Sequence, residues 1–248
     1  MNKRESTILD LLSKHGRLNT AVLAEKLGVS QVTVRKDLDA LEARRIVRRA
    51  HGYAIFGGSD DINNRLAIHY EEKRKIALRA AALVEDGETL MIESGSCCTL
   101  LAEQIAGSKT GATIITNSAF IANYIRHAEN ARVVLLGGDF QNGAQVTVGP
   151  ILRACAKQFY VDKLFVGTDG YTEKLGFTAD DHLRVQAVRD MAEQAKHVVV
   201  VTESDKFLRS SVVPMAIPGG VHTVVTDGDL PKEAEASLNR SGVTVLKA

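Results

Sequence analysis

Seven apolar runs between Thr89 and the end of the chain constrain the fold more than any other feature. They are TLMIE at 89–93, ATIITN at 112–117, ARVVLLGG at 131–138, VDKLFVG at 161–167, HVVVVTE at 197–203, HTVVTD at 222–227 and VTVLKA at 243–248. They are mostly apolar rather than alternating, several end in small or polar residues, and helical patterns separate most of them. A strand that is apolar on both sides must be covered on both sides, which is the situation of a parallel sheet packed between helices. The expected fold class is α/β, with a doubly wound, mostly parallel sheet in the large C-terminal part. At 248 residues with 45% apolar content the chain can also carry a second, smaller domain.

That smaller domain is written at the N-terminus. Ile8, Leu11 and Leu12 mark a helix over residues 2–14, and Gly16 ends it. Asn19 or Thr20 can cap a second helix that turns Leu23, Ala24 and Leu27 inward, and Gly28 supplies a left-handed turn. Ser30 can cap a third, with Val34, Leu38 and Leu41 on one buried stripe. Two helices joined by so short a turn fit a helix-turn-helix. The third helix then shows Gln31, Val32, Arg35 and Lys36 outward, chemistry suited to adenine, a thymine methyl, guanine and phosphate in a major groove. An ordinary solvated helix accounts for residues 30–38 taken alone, and the flanking segments decide against it. Ile46–Ala50 and Tyr53–Phe56 read as two short strands meeting at His51-Gly52, a β-wing that offers Arg48, Arg49 and His51 to phosphate or the minor groove.

Charge follows the same division. Residues 1–56 hold eleven Lys or Arg against six Asp or Glu, a formal +5, leaving twenty against twenty-four, −4, for the rest. A polyanion is attracted to one end only. The expected organisation is a DNA-binding domain over 1–56, a linker over 57–72 opening with GGSDD, and an effector-binding and oligomerisation domain over 73–248 that begins with a helix near Glu72–Val84. Cys97, Cys98 and Cys155 have no CxxC spacing or neighbouring histidine pattern, so they are expected to be reduced thiols, with no metal site. The chain lacks both a run of membrane-spanning length and a signal-peptide core, which points to a cytoplasmic protein with no membrane partner.

The set Arg4, Ile8, Ser30, Thr33, Val34, Arg35, Lys36, Asp37 and Leu38, followed by Arg49 and His51-Gly52, resembles the DeoR family of bacterial transcriptional regulators, and the likeness continues along the chain. The resemblance implies a winged helix-turn-helix, with Thr33 among its DNA-facing residues. It also implies an effector domain of the ribose-phosphate-isomerase and CoA-transferase type. Tyr53 stands where the family commonly has a glycine after the wing's His-Gly.

In open α/β sheets the ligand crevice lies beyond the carboxyl ends of the strands. Glu93-Ser94-Gly95-Ser96-Cys97-Cys98-Thr99 there opens a helix and offers N–H and O–H donors to an anion. The family's Asp-x-Gly-Ser/Thr-Thr segment occupies this place, with Glu93 here for the Asp and Cys97 for the second hydroxyl. The other candidate strand ends are Thr116-Asn117-Ser118, Gly137-Gly138, Gly149, Asp169 and Lys206, the last a point charge suited to phosphate. Standing alone, Lys206 would be taken as a surface lysine.

An isomerase is the competing reading. The related isomerases carry Lys-Gly-Gly after an Asp-Gly-Ala-Asp motif, whereas Leu175-Gly176-Phe177-Thr178 has Phe at the expected lysine, so the electrophilic partner of the chemistry is missing. A DNA-organising protein without effector would not need strand ends so rich in polar groups. The expectation is a sequence-specific DNA-binding regulator without cofactor or catalytic residue. It is read as the repressor of a carbohydrate-utilisation operon, answering to a phosphorylated sugar and working as a homodimer or higher homo-oligomer on double-stranded operator DNA.

Overall fold

A computed structural model of the chain describes residues 3–43, 47–50, 52–55 and 62–248. The chain divides into two compact units, Met1–Glu71 and Glu72–Ala248.

The first unit runs α1 (Lys3–His15), β1 (Arg17–Asn19), α2 (Thr20–Leu27), α3 (Gln31–Ala43), β2 (Arg48–Ala50), β3 (Tyr53–Ile55) and α4 (Ile62–Ala67). Its core joins Ile8 and Leu12 of α1, Leu23 of α2, Val34, Leu38 and Leu41 of α3, and Ala54 of the wing. Asn19, rather than Thr20, caps α2, its side chain accepting the Ala21 N–H at 2.8 Å. Gly28 closes α2 in the left-handed region at φ 64°, where a side chain would be strained. Arg4 reaches from α1 to the buried Asp37 of α3 through two hydrogen bonds of 2.5 and 2.9 Å, which fixes the crossing of these helices.

Two features differ from the sequence reading. The wing sheet has three strands in the order β1-β3-β2, because the Arg17–Asn19 segment, too short to show periodicity, pairs antiparallel with β3. The middle of the stretch expected as linker is helix α4, which packs on α1 with Ile62, Leu66 and Ala67 buried, and the last residues of that stretch already belong to α5 (Tyr70–Ala81). Ile62 and Leu66 are spaced i, i+4, enough to bury one face of a short helix. GGSDD at 57–61 lies outside the described residues.

Helix α5 (Tyr70–Ala81) carries the chain into the second unit. There follow β4 (Thr89–Ile92), α6 (Ser96–Ser108), β5 (Ala112–Thr116), α7 (Ala119–Tyr124), β6 (Ala131–Leu135), β7 (Asp139–Gln141), β8 (Val146–Val148), α8 (Pro150–Ala156), β9 (Val161–Val166), β10 (Gly170–Thr172), β11 (Gly176–Ala179), α9 (His182–Ala192), β12 (Ala195–Val201), a 3-10 turn at Ser204–Leu208, β13 (Val213–Pro214), β14 (Thr223–Thr226), α10 (Lys232–Arg240) and β15 (Thr244–Lys247).

All seven apolar runs form one sheet in the order β15-β14-β12-β9-β4-β5-β6, parallel at every pairing. The chain starts at β4, steps outward through β5 and β6, then returns to β9 and steps the other way. Because parallel crossovers are right-handed, reversing the direction of travel puts the helices of the two excursions on opposite faces. It also creates a topological switch point between β4 and β9, where a crevice opens at the carboxyl ends. A β7-β8 hairpin and a small β10-β11-β13 sheet are added there.

Candidate DNA interface and effector site

In the first unit the N-terminus of α3 is built as its residue types suggest. The Ser30 hydroxyl oxygen accepts the Thr33 N–H at 3.2 Å and lies 2.9 Å from the Thr33 hydroxyl. Ser30 and Thr33 therefore serve the helix start. Gln31, Val32, Arg35 and Lys36 are exposed, Val32 to 62%, an exposure that leaves its methyls available to a partner.

The two wing arginines have different fates. Arg48 is exposed and makes no ion pair among the described residues. Arg49, expected to touch phosphate, is already engaged by α3. Its backbone N–H donates to Glu42 Oε1 at 3.0 Å, its Nε to Glu42 Oε2 at 2.9 Å, and its Nη2 lies 2.5 Å from Asp39 Oδ1. The Arg49 backbone and side-chain hydrogen bonds hold the Glu42 carboxyl below the usual range. In the DNA-free chain Arg49 thus ties the wing to the third helix. Strand alternation explains the split, since neighbouring residues of β2 face opposite ways. His51 lies outside the described residues.

In the second unit the segment expected as an anion cradle, Glu93–Thr99, lies at the switch point. Gly95 sits at φ 135°, and a Cβ there would stand 3.9 Å from the Gly167 Cα, so the loops after β4 and β9 approach closely. Not every hydroxyl of the cradle is available to a ligand. Ser94 Oγ donates to the buried Glu93 at 2.5 Å, and Thr99 Oγ1 donates to the Gly95 carbonyl at 2.8 Å. No side chain caps α6, so its first turn keeps the positive pole of a 13-residue helix toward the crevice.

Around that pole lies a group of ionisable side chains. Lys73 of α5, 2% exposed, holds its Nζ 3.3 Å from Glu203 Oε2 after β12. Lys206, three residues on, has its pKa lowered by burial, with Asp205 opposing the shift. The Cys97 thiol, fully buried, is pushed up to about 12 by burial and by the Glu203 carboxylate, with Lys73, Lys206 and Asp205 also acting on it. That thiol stays protonated near neutral pH. Cys97, Cys98 and Cys155 are all free thiols.

Asn117, at the end of β5, is fully buried with its Nδ2 on the Thr147 carbonyl at 3.1 Å, and its Oδ1 has no partner among the described residues. Asp169 Oδ2 accepts the Asp180 N–H at 3.2 Å at the end of β9. Thr116 Oγ1 accepts the Ser118 N–H at 3.0 Å, and Ser118 caps α7, so these two hydroxyls shape the loop. Two of the glycine candidates, Gly138 and Gly149, have a packing explanation. A Cβ on Gly138 would meet the Val148 carbonyl at 2.5 Å, and one on Gly149 would meet Asp139 Oδ2 at 2.8 Å. Gly137 backs onto Cys155 and Ile151. Gly138 and Gly149 thus let the β7-β8 hairpin pack, whereas a Cβ at Gly137 would make only ordinary contacts at 3.8 Å.

Phe177 is buried, its ring centroid 5.0 Å from Tyr171 and 6.0 Å from Phe207. An aromatic cluster therefore fills the place where an isomerase lysine was sought. The sequence reading missed Lys73. It shares a helical stripe with the buried Ile76, Ala77 and Ala80, and a lysine on an apolar stripe was the available signal.

Residues 4–59 match the DeoR-like helix-turn-helix domain, and residues 68–228 match the DeoR C terminal sensor domain. The chain belongs to the DeoR family. As a DeoR-family protein it is a DNA-binding transcription regulator. It is 28% identical over 232 residues to the glycerol-3-phosphate regulon repressor of Escherichia coli (strain K12), covering 92% of each chain. It is 29% identical over 249 residues to the HTH-type transcriptional repressor GlcR of Bacillus subtilis (strain 168), covering 98% of this chain and 95% of the relative. Among solved structures, ribose 5-phosphate isomerase from Plasmodium falciparum matches 55% of this DeoR-family chain and 52% of its own, at 15% identity and a TM-score of 0.41. Among the described residues, no helix is long and apolar enough to cross a membrane.

Proposed function

We propose that this DeoR-family regulator represses a carbohydrate-utilisation operon and that a phosphorylated sugar, bound at the switch point of the second unit, sets its affinity for operator DNA. The observation that carries the reading is the buried Lys73 beside Glu203, with Lys206 next to them, at the uncapped pole of α6. A phosphate at the start of α6 can take several backbone N–H donors and the Lys206 ammonium at once. Asn117 and Asp169 supply polar groups for the sugar hydroxyls. The name of the glycerol-3-phosphate regulon repressor fits an effector of this class.

Catalysis is set aside because Phe177 occupies the position where an electrophilic lysine was sought. The residues of 73–248 are read as the effector-binding and oligomerising part, since the basic 1–56 part must remain free for cytoplasmic operator DNA. A homodimer or higher oligomer then presents two winged units to two half-sites. Calorimetric titration with a panel of sugar phosphates and their unphosphorylated parents tests the effector class. Lys206→Ala should weaken the phosphorylated ligand while apo DNA binding stays intact. Tighter binding of the unphosphorylated parents would overturn the assignment.

A further inference from the structure

The three-stranded sheet of the first unit has an outer face on which the wing's Arg48 is joined by a residue of β1 that the sequence reading did not use. Its register places Arg17 of β1 and Arg48 of β2 opposite Ile55 of β3, one on each side. Side chains opposite one another across an antiparallel pair share a face, so Arg17, Ile55 and Arg48 lie together, as do Asn19, Tyr53 and Ala50. The other face carries Leu18, Ala54 and Arg49; Ala54 is fully buried and Arg49 is bound to α3. The face with Arg17 and Arg48 is therefore the one turned away from the core.

Both arginines are exposed, and neither has a carboxylate partner among the described residues. One of them is held in place. The Arg17 guanidinium carbon lies 5.5 Å from the centroid of the Tyr53 ring, and Tyr53 is 39% exposed, so the ring is a platform with solvent on one side. A guanidinium held over a ring by cation–π attraction keeps its N–H donors free for a phosphate oxygen. The sheet is fixed to the rest of the unit at two points. Thr20, at the start of α2, donates its N–H and its hydroxyl to the Gly52 carbonyl, each at 3.0 Å, and Arg49 ties β2 to α3.

We propose that Arg17, seated on the Tyr53 ring, is a DNA-contacting residue which together with Arg48 binds backbone phosphates of the DNA beside the wing. The proposal rests on the DNA-binding reading of the unit and adds to it a contact made by β1 and β3. Arg49 is engaged by Glu42 and Asp39, whereas Arg17 and Arg48 carry no carboxylate partner among the described residues. Tyr53 acts as a positioning residue at the place where the family commonly has glycine. Strand neighbours lie about 4.8 Å apart, so Arg17 and Arg48 start about 10 Å from each other and can reach two different phosphates.

The test measures binding of the full-length protein to a short random-sequence duplex by fluorescence anisotropy over a salt series, because phosphate contacts do not depend on sequence. Each phosphate contact removed lowers the slope of log affinity against log salt by about 0.9. Between about 50 and 200 mM salt the affinity ratio then shrinks by about 3.5-fold. Arg17→Gln and Arg48→Gln should each show this loss, and Arg17→Lys should retain the slope. Tyr53→Phe should behave as the parent protein, whereas Tyr53→Gly should move the slope toward that of Arg17→Gln and add nothing further in the double variant. Thermal unfolding of each variant checks that the unit remains folded. An unchanged slope in a folded Arg17→Gln protein refutes the contact, and a parent-like slope in Tyr53→Gly refutes the positioning role. Failure of the parent protein to bind any duplex would instead overturn the DNA-binding reading itself.

Discussion

Replacing Lys73 by Met tests the ion pair at the centre of the effector site. The lysine is 2% exposed and its partner Glu203 7%, with 3.3 Å between charged atoms. Coulomb attraction at that separation and an effective dielectric of about 20 is worth roughly 5 kcal/mol, most of it offset by the cost of taking both groups out of water. Removing one member leaves a buried carboxylate short of its cation, which typically costs about 3–5 kcal/mol, whereas replacing both members by apolar groups is close to neutral. Urea denaturation of effector-free protein should therefore show Lys73→Met losing about 3–5 kcal/mol from the second unit, and Lys73→Met/Glu203→Leu recovering most of it. Lys73→Met should also abolish the response of DNA binding to phosphorylated sugars. A stability loss below about 1 kcal/mol, or a double variant no better than the single one, would refute the argument.

The remaining predictions concern the DNA reader and the second lysine. Arg35→Ala should cost about 1–3 kcal/mol on the operator and relax discrimination if the side chain reads a base, as a band-shift comparison of operator and unrelated DNA would show. Arg49→Ala should weaken operator binding by loosening the wing while leaving the salt slope near that of the parent, since its charge is already matched by Glu42 and Asp39; a slope loss of about 0.9 would restore it as a phosphate contact. Burial lowers the Lys206 pKa, so affinity for a phosphorylated effector should fall as pH rises through that lowered value, and the fall should vanish in Lys206→Ala. In the window between that value and the ordinary 10.5 the unfolded chain binds more protons, so the stability of the effector-free protein should rise with pH there.

What the sequence made legible follows the length of the signal. Each apolar run is long enough to declare itself, and all seven became strands of one parallel sheet. The stripe of Val34, Leu38 and Leu41 likewise placed α3. Strand β1 and the hairpin β7-β8 were not legible, because their three-residue strands exist through pairing with partners rather than through any period of their own. Arg48 and Arg49 were grouped as equivalent cations, although alternation along a strand separates them. The place of Lys206 after an apolar run is legible in the sequence, whereas its burial is not. Lys73 was missed because its stripe was read for apolar residues alone. Ser94 and Thr99 were counted as donors to a ligand, whereas short-range partners, Glu93 and the Gly95 carbonyl, engage them; such local hydrogen bonds depend on loop geometry that the sequence does not display.

In the proposed function, effector binding in the second unit sets the DNA affinity of the first. An effector changes DNA affinity only by its differential affinity for DNA-competent and DNA-incompetent arrangements, and the coupling is reciprocal. The most direct measurement is the affinity of the tightest sugar phosphate from the panel, taken with and without saturating operator DNA. The account predicts weaker effector binding on DNA by a factor of about 5–150, equivalent to about 1–3 kcal/mol of coupling. Identical affinities would contradict the linkage, and tighter binding on DNA would reverse its sign to co-repression or activation.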